Sequence, residues 1–222
     1  MKEQLKFCLA INCIFFTFQT LYAQNNIEIG AFGGISYYIG NINPTQQFYS
    51  PSRAFGFTVG YVLNDRETFR FLINNGQFTG ADRDFTNEYQ QVRNLSFSTT
   101  LIDMDAIYEF NYLPFHYKER RHAFTPFSFV GIGYEVLLQS TYNIPNNIVV
   151  PFGIGIKYLL NKRTTVGAEW SFRKTFQNQI DGVGNPGGNQ YKSILNNNDW
   201  YSYAGFFISF RLFGNGNCAV YQ

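Results

Sequence analysis

The sequence predicts an all-β fold: an eight-stranded antiparallel transmembrane barrel of the outer-membrane type, exported behind a cleaved signal peptide. Three observations predict it. Residues 148–160 carry Ile148, Val150, Phe152, Ile154, Ile156, Tyr158 and Leu160 on alternate positions, separated by mostly small or polar residues. A period of two is that of an extended strand, whose successive side chains point to opposite faces. Ten such residues, tilted by about 40°, span roughly 25 Å, the height of a bilayer's hydrocarbon band. Second, several further segments repeat the pattern. Third, an export leader precedes them all.

The leader has the layout of a secretory signal peptide. Lys2 and Lys6 precede a run from Phe7 to Phe18 that is apolar apart from Asn12 and Thr17, and Leu21-Tyr22-Ala23 offers a cut ahead of Gln24. The run is too short for a membrane-spanning helix, which needs about 20 apolar residues. Cys13 follows Ile11-Asn12, a poor context for acylation. The chain therefore divides into a signal peptide (1–23), a barrel (24–213) and a short periplasmic tail (214–222).

Removing residues 1–23 from the 222 leaves 199, which suits one domain. Of 17 basic and 15 acidic residues, Lys2, Lys6 and Glu3 leave with the leader, so the mature chain carries 15 and 14. A balance that even leaves no electrostatic footprint for nucleic acid. Aromatics make up 19% of the chain and charged residues only 14%. That composition suits a barrel with aromatic girdles and a lipid-facing band.

The strands follow in order. Residues 27–40 place Ile27, Ile29, Ala31, Ile35, Tyr37 and Ile39 on one face. Residues 54–63 show Phe55, Phe57, Val59, Tyr61 and Leu63 against Gly56, Thr58 and Gly60, before a tight turn at 64–67. Residues 68–78 form a weaker third strand through Phe69, Phe71 and Ile73. The fourth is clearest at 102–112, where Ile102, Met104, Ala106, Tyr108, Phe110 and Tyr112 oppose Asp103, Asp105, Ile107, Glu109 and Asn111. Leu95 and Phe97 upstream are out of phase, which predicts a bulge or an extramembrane extension between them. The fifth, 124–136, aligns Val130, Ile132, Tyr134 and Val136. The sixth is the stretch described above, turned by 161–163. The seventh, 164–176, carries Val166, Ala168, Trp170, Phe172 and Phe176. The eighth, 200–213, carries Trp200, Ala204, Phe206, Ile208, Phe210 and Leu212.

Short connections (64–67, 161–163) alternate with long ones (41–53, 79–94, 137–147, 177–199), and 113–123 is intermediate. Short periplasmic turns and longer surface loops are the habit of outer-membrane barrels. Both termini then fall in the periplasm, and the cell outer membrane of a Gram-negative bacterium is the expected location.

Charge decides which face looks inward. Glu28, Arg70, Asp103, Asp105, Glu109, Lys157, Glu169, Arg173 and Arg211 all oppose the apolar stripes. A basic residue on the lipid face would cost about 2–4 kcal/mol at midplane. Inside a narrow barrel the same groups can pair, so the expected interior is a plug of ion pairs and aromatics without a wide pore. A soluble ligand barrel of the lipocalin kind would reverse the faces. The leader and the phenylalanine-heavy stripes favour lipid outside.

Motifs for chemistry are weak. Gly182-Val183-Gly184-Asn185-Pro186-Gly187 fits a nucleotide-loop spacing, but asparagines, glycines and a strand follow where a helix is required. His116 and His122 flank Lys118, Glu119, Arg120 and Arg121 in a predicted periplasmic connection, away from any strand-borne Ser/Asp pair. No catalytic group, cofactor or metal is expected. Cys218, left alone in the mature chain, is either an inert thiol or one half of an intermolecular disulfide.

Several ordered segments resemble the PorG family. They are Glu28-Ile29-Gly30 through Tyr38-Ile39-Gly40, Ala54 through Leu63-Asn64, Pro151-Phe152-Gly153 through Lys157-Tyr158, Glu169-Trp170 with Arg173-Lys174-Thr175-Phe176, and Asn198-Asp199-Trp200-Tyr201-Ser202 with Ala204-Gly205-Phe206. Asn41 departs from the acidic residue expected there. PorG-like proteins are outer-membrane barrels of the type IX secretion system. The resemblance implies a non-catalytic component associated with a periplasmic ring of PorK- and PorN-like proteins. Its partners would be outer-membrane lipid and that ring; the topology offers for the ring the periplasmic turns 64–67, 113–123 (Lys118, Glu119, Arg120, Arg121) and 161–163 (Lys162, Arg163) and the Cys218 tail. The alternatives are a stand-alone barrel that binds surface ligands or passes small solutes, and a barrel-embedded lipid enzyme, which the histidine placement disfavours.

Overall fold

A computed structural model describes residues 26–40, 42–43, 46–86, 88–115, 123–140, 146–175 and 200–212. The leader, His116, Lys118 to Arg121, His122, the 182–187 glycine motif and Cys218 lie outside the described residues.

Eight antiparallel strands close into a barrel in sequence order, each paired with its neighbours and β1 with β8. They are β1 (Ile27–Ile39), β2 (Ser52–Val62), β3 (Glu67–Ala81), β4 (Ser96–Asn111), β5 (Phe124–Ser140), β6 (Asn147–Leu159), β7 (Thr164–Thr175) and β8 (Trp200–Arg211). Partners can be followed once round, from Ile27 through Tyr61, Phe69, Tyr108, Val130, Phe152, Phe172 and Ser202. The path returns to β1 at Tyr37, displaced by ten residues (37 − 27). Ten residues of rise over eight strand spacings set a tilt of about 40°.

The faces divide by chemistry. Phe55, Phe57, Val59, Val130, Ile132, Ile148, Ile154, Ile156, Tyr158, Leu160 and Phe206 stand exposed on the outside. Arg70, Asp103, Asp105, Glu109, Lys157, Glu169 and Arg173 are buried within. A soluble barrel would carry the opposite arrangement, so the solvent that suits this exterior is hydrocarbon.

Three details depart from expectation. β3 and β5 run past their predicted ends, to Ala81 and Ser140. Much of the long 79–94 connection is consequently strand, a 3-10 turn at Asp82–Asp84 and a short helix α1, Glu88–Arg93. Of the bulge or extension expected upstream in β4, the strand shows a continuous extension to Ser96, and the bulge lies on β5. β4 alternates without a break from Ser96, while the ladder steps from Thr100↔Gln139 to Leu101↔Leu137 and skips Leu138. Phe97 looked out of phase because its ring and Leu101 point inward, where they are buried beside Tyr38 and Phe78. Finally, Tyr37 sits on the outer face as predicted, yet it is fully buried, because the β1–β2 loop folds over it.

Candidate functional site

The inner face holds two stacked ion clusters. Nearer the short turns, Arg70 of β3 lies between Glu109 of β4 (3.1 Å) and Glu169 of β7 (3.0 Å). Lys157 of β6 closes on the other oxygen of Glu109. The Arg70 guanidinium also lies 5.5 Å from the ring centres of Phe127 and Phe129 and 5.8 Å from that of Phe207. Cation and ring thereby share a dry environment in which their attraction is strong. Glu28 faces Arg211 directly across the β1–β8 ladder, and Arg211 donates to Asn26 Oδ1 at 2.9 Å. A small polar cavity of about 20 Å³ remains here, lined by Glu28, Thr58, Arg70, Glu109, Lys157 and Ser209 among others.

Toward the long loops, Arg173 of β7 is the hub. Its guanidinium reaches Asp105 at 2.9 Å and Asp103 at 3.8 Å, donates to Ser171 Oγ, and lies 4.5 Å over the ring of Tyr203. The hydroxyls of Tyr201 and Tyr203 donate to Oδ1 and Oδ2 of Asp103 at 2.5 and 2.7 Å. Glu135 completes the group, accepting from Asn147 Nδ2 at 2.9 Å. Phe78 stacks edge-on against both tyrosine rings. Gly76 makes room for them: a Cβ there would lie 2.7 Å from the Tyr203 ring.

The inner-face residues singled out by sequence thus fall into two groups rather than one. Asp105 pairs with Arg173, and Glu109 with Lys157 and Arg70. Lys162 and Arg163 are exposed at the β6–β7 turn, apart from both clusters. Sequence reading missed Glu135, although it lies one position from Tyr134 and Val136 and so on the charged parity of β5. It also missed the tyrosine donors of Asp103, because a hydroxyl on the charged parity looks no different from a filler ring.

Chemically the arrangement pairs each buried cation with carboxylates: Arg70 and Lys157 with Glu109 and Glu169, and Arg173 with Asp103 and Asp105. The side chains of Arg173, Asp103, Asp105 and Glu109 are at most 1% exposed, so they are packed within the bore. Among the described residues, no group of three or more His, Cys, Asp or Glu is placed to hold a metal ion.

Comparison with solved structures returns small outer-membrane barrels. Neisserial surface protein A aligns with a TM-score of 0.52 at 8% identity, covering 83% of this chain and 96% of that one. OprG of Pseudomonas aeruginosa aligns at 0.48 and 10% identity, covering 83% and 96%. The N-terminal barrel domain of Pseudomonas aeruginosa OprF aligns at 0.45 and 15% identity, covering 84% and 98%. At such identities the likeness to neisserial surface protein A is one of fold. No curated protein matches the sequence. One family model does, over residues 6–222, which is nearly the whole chain; the protein belongs to the family described as Domain of unknown function (DUF6089).

Proposed function

We propose that this chain is a non-catalytic barrel of a Gram-negative outer membrane and a PorG-like component of a type IX secretion machine. In that role it would associate with a periplasmic ring of PorK- and PorN-like proteins. The observation that carries this reading is the filled interior. Among the described residues the side chains of the two ion clusters fill most of the bore, leaving a cavity of about 20 Å³ beside Arg70, and on this reading function falls to the ends of the barrel. At the short-turn end Lys162 and Arg163 are exposed. The resemblance of the ordered motifs to the PorG family is what points to that partner. Lys118, Glu119, Arg120, Arg121 and the Cys218 tail belong to the same proposed surface.

Affinity capture of the tagged barrel from detergent extracts tests it. Recovery of the ring proteins, reduced when Lys162 and Arg163 are both made Glu, is the expected result. Failure to recover them favours the second reading, a stand-alone barrel whose loops bind a surface ligand. One observation favours that alternative: the loops at the opposite end are tightly built, with Arg93 forked onto Asp82 at 2.6 and 2.7 Å and Tyr49 donating to Asp84 at 2.6 Å. Single-channel recording separates a solute channel from both. Non-reducing gels of Cys218→Ser test the disulfide, and an unchanged band pattern removes it.

A further inference from the structure

The described part of the β1–β2 connection that leads into β2, residues 46–51, does not stand up from the barrel's rim. It turns down over the outer wall and lays Phe48 against Tyr37 (ring centres 4.8 Å apart) and in a stack on Trp170 (5.8 Å). Both partners point outward from the barrel. With strands tilted about 40°, Trp170 lies roughly 10 Å further from the long-loop rim than Tyr37. The ring of Phe48 therefore bridges down into the apolar belt. It remains 46% exposed, and on the same wall the ring of Phe172 lies 5.0 Å from that of Trp170.

The polar atoms in this patch satisfy one another. Trp170 Nε1 donates to Tyr37 Oη at 2.8 Å and to Ser202 Oγ at 3.1 Å. Tyr37 Oη in turn donates to Gln47 Oε1 at 2.9 Å. The chain runs from the Trp170 indole through the buried Tyr37 hydroxyl to the exposed amide of Gln47. Beside hydrocarbon the same atoms would be costly without it. The backbone tells the same story. Phe48 has φ of 59° and Ser50 of 46°. The left-handed region is an outlier for a bulky residue and persists only where the surroundings over-determine it.

We infer that the β1–β2 loop is a membrane anchor: it inserts Phe48 among the acyl chains of the leaflet on the long-loop side. The occupant is lipid because the patch is continuous with the exposed apolar belt, and the indole and phenol at its centre are hydrogen-bonded to neighbouring side chains. The inference rests on the reading of the belt as lipid-facing.

Site-directed spin labelling tests both and keeps them apart. Cysteines at Phe48, Phe57 (72% exposed on the belt) and Val92 (87% exposed on α1) are introduced singly. The host is the full chain with Cys8, Cys13 and Cys218 made Ser, folded into phosphatidylcholine–phosphatidylglycerol vesicles. Heat-dependent gel mobility verifies folding of each variant. The expected result is that labels at 48 and 57 collide more with oxygen than with a nickel chelate, and the label at 92 the reverse. If 57 meets oxygen while 48 meets nickel, the anchor is wrong and the belt stands. If 48 and 57 both meet nickel, the belt reading itself fails. A label at 48 shielded from both reagents would mean a protein surface covers it, which also overturns the lipid anchor.

Discussion

Asp103 and Glu135 face each other directly across the β4–β5 ladder, both inside the barrel and both without solvent exposure. Like charges in directly opposed positions destabilise a sheet pair. Asp103 is served by two tyrosine hydroxyls and by Arg173, whereas Glu135 has a single amide donor and one buried oxygen, Oε2, with no hydrogen-bond partner. Glu135→Gln is therefore expected to leave stability unchanged or raise it by about 1 kcal/mol. Asp103→Asn should lower it by about 2 kcal/mol, since a tyrosine hydroxyl and the guanidinium lose their acceptor. Urea unfolding of the barrel in lipid vesicles measures both.

Arg173 is the cation that the long-loop cluster is built around. Truncation to Ala strands Asp103 and Asp105 in a dry interior and should cost roughly 3–5 kcal/mol. Lysine should not restore the loss, because a compact ammonium cannot reach two carboxylates and Ser171 while lying flat on the Tyr203 ring. The same unfolding assay reads it, with Arg173→Lys falling well below the parent.

The outer belt should be intolerant of charge in a way that depends on depth. Phe57→Lys, in the belt, is expected to cost about 2–4 kcal/mol in a bilayer, and Leu63→Lys, just past the end of β2, only about 0–1 kcal/mol. Equal penalties at the two positions would mean that no hydrocarbon slab surrounds the barrel.

The loops at the long end have their own pH dependence. Partial burial, and then the hydrogen bond to Asp84, push the Tyr49 hydroxyl from the usual 10 up to about 12. The neutral phenol is the form the fold prefers, so this contact is whole below pH 10 and is lost as pH rises through about 12. Difference spectra between the parent and Tyr49→Phe should show one phenol titrating near that upper value. Asp82 behaves oppositely. Burial alone would raise it, but the Arg93 fork and the Leu95 N–H hold it below the usual carboxylate value. Its contribution is present above about pH 4 and lost as pH falls further. Proteolysis within 82–95 should accelerate below that point and be pH-insensitive in Asp82→Asn.

Much of the barrel was legible because lipid outside and charge inside write a period of two into every strand. Ile148 to Leu160 on β6 show it plainly. The signal failed where the interior turned apolar: Phe97 and Leu101 point inward like the acids of the same strand, so hydrophobicity stopped marking the lipid face. The loop over Tyr37 was invisible for another reason. Phe48 adopts a backbone conformation that its residue type disfavours, and only contacts with residues distant in sequence hold it there. The pairing of Arg173 with Asp105 needed the register of β4 and β7, which no single strand's pattern contains.

The apolar stripes meet hydrocarbon while the buried cations pair with carboxylates inside the barrel. Folding of the purified, leader-free chain with and without lipid tests it most directly, read by circular dichroism and heat-dependent gel mobility. A β-sheet spectrum, with a mobility shift on boiling, is expected only in vesicles or detergent, with aggregation in plain buffer. A monodisperse, folded protein in detergent-free buffer would contradict it.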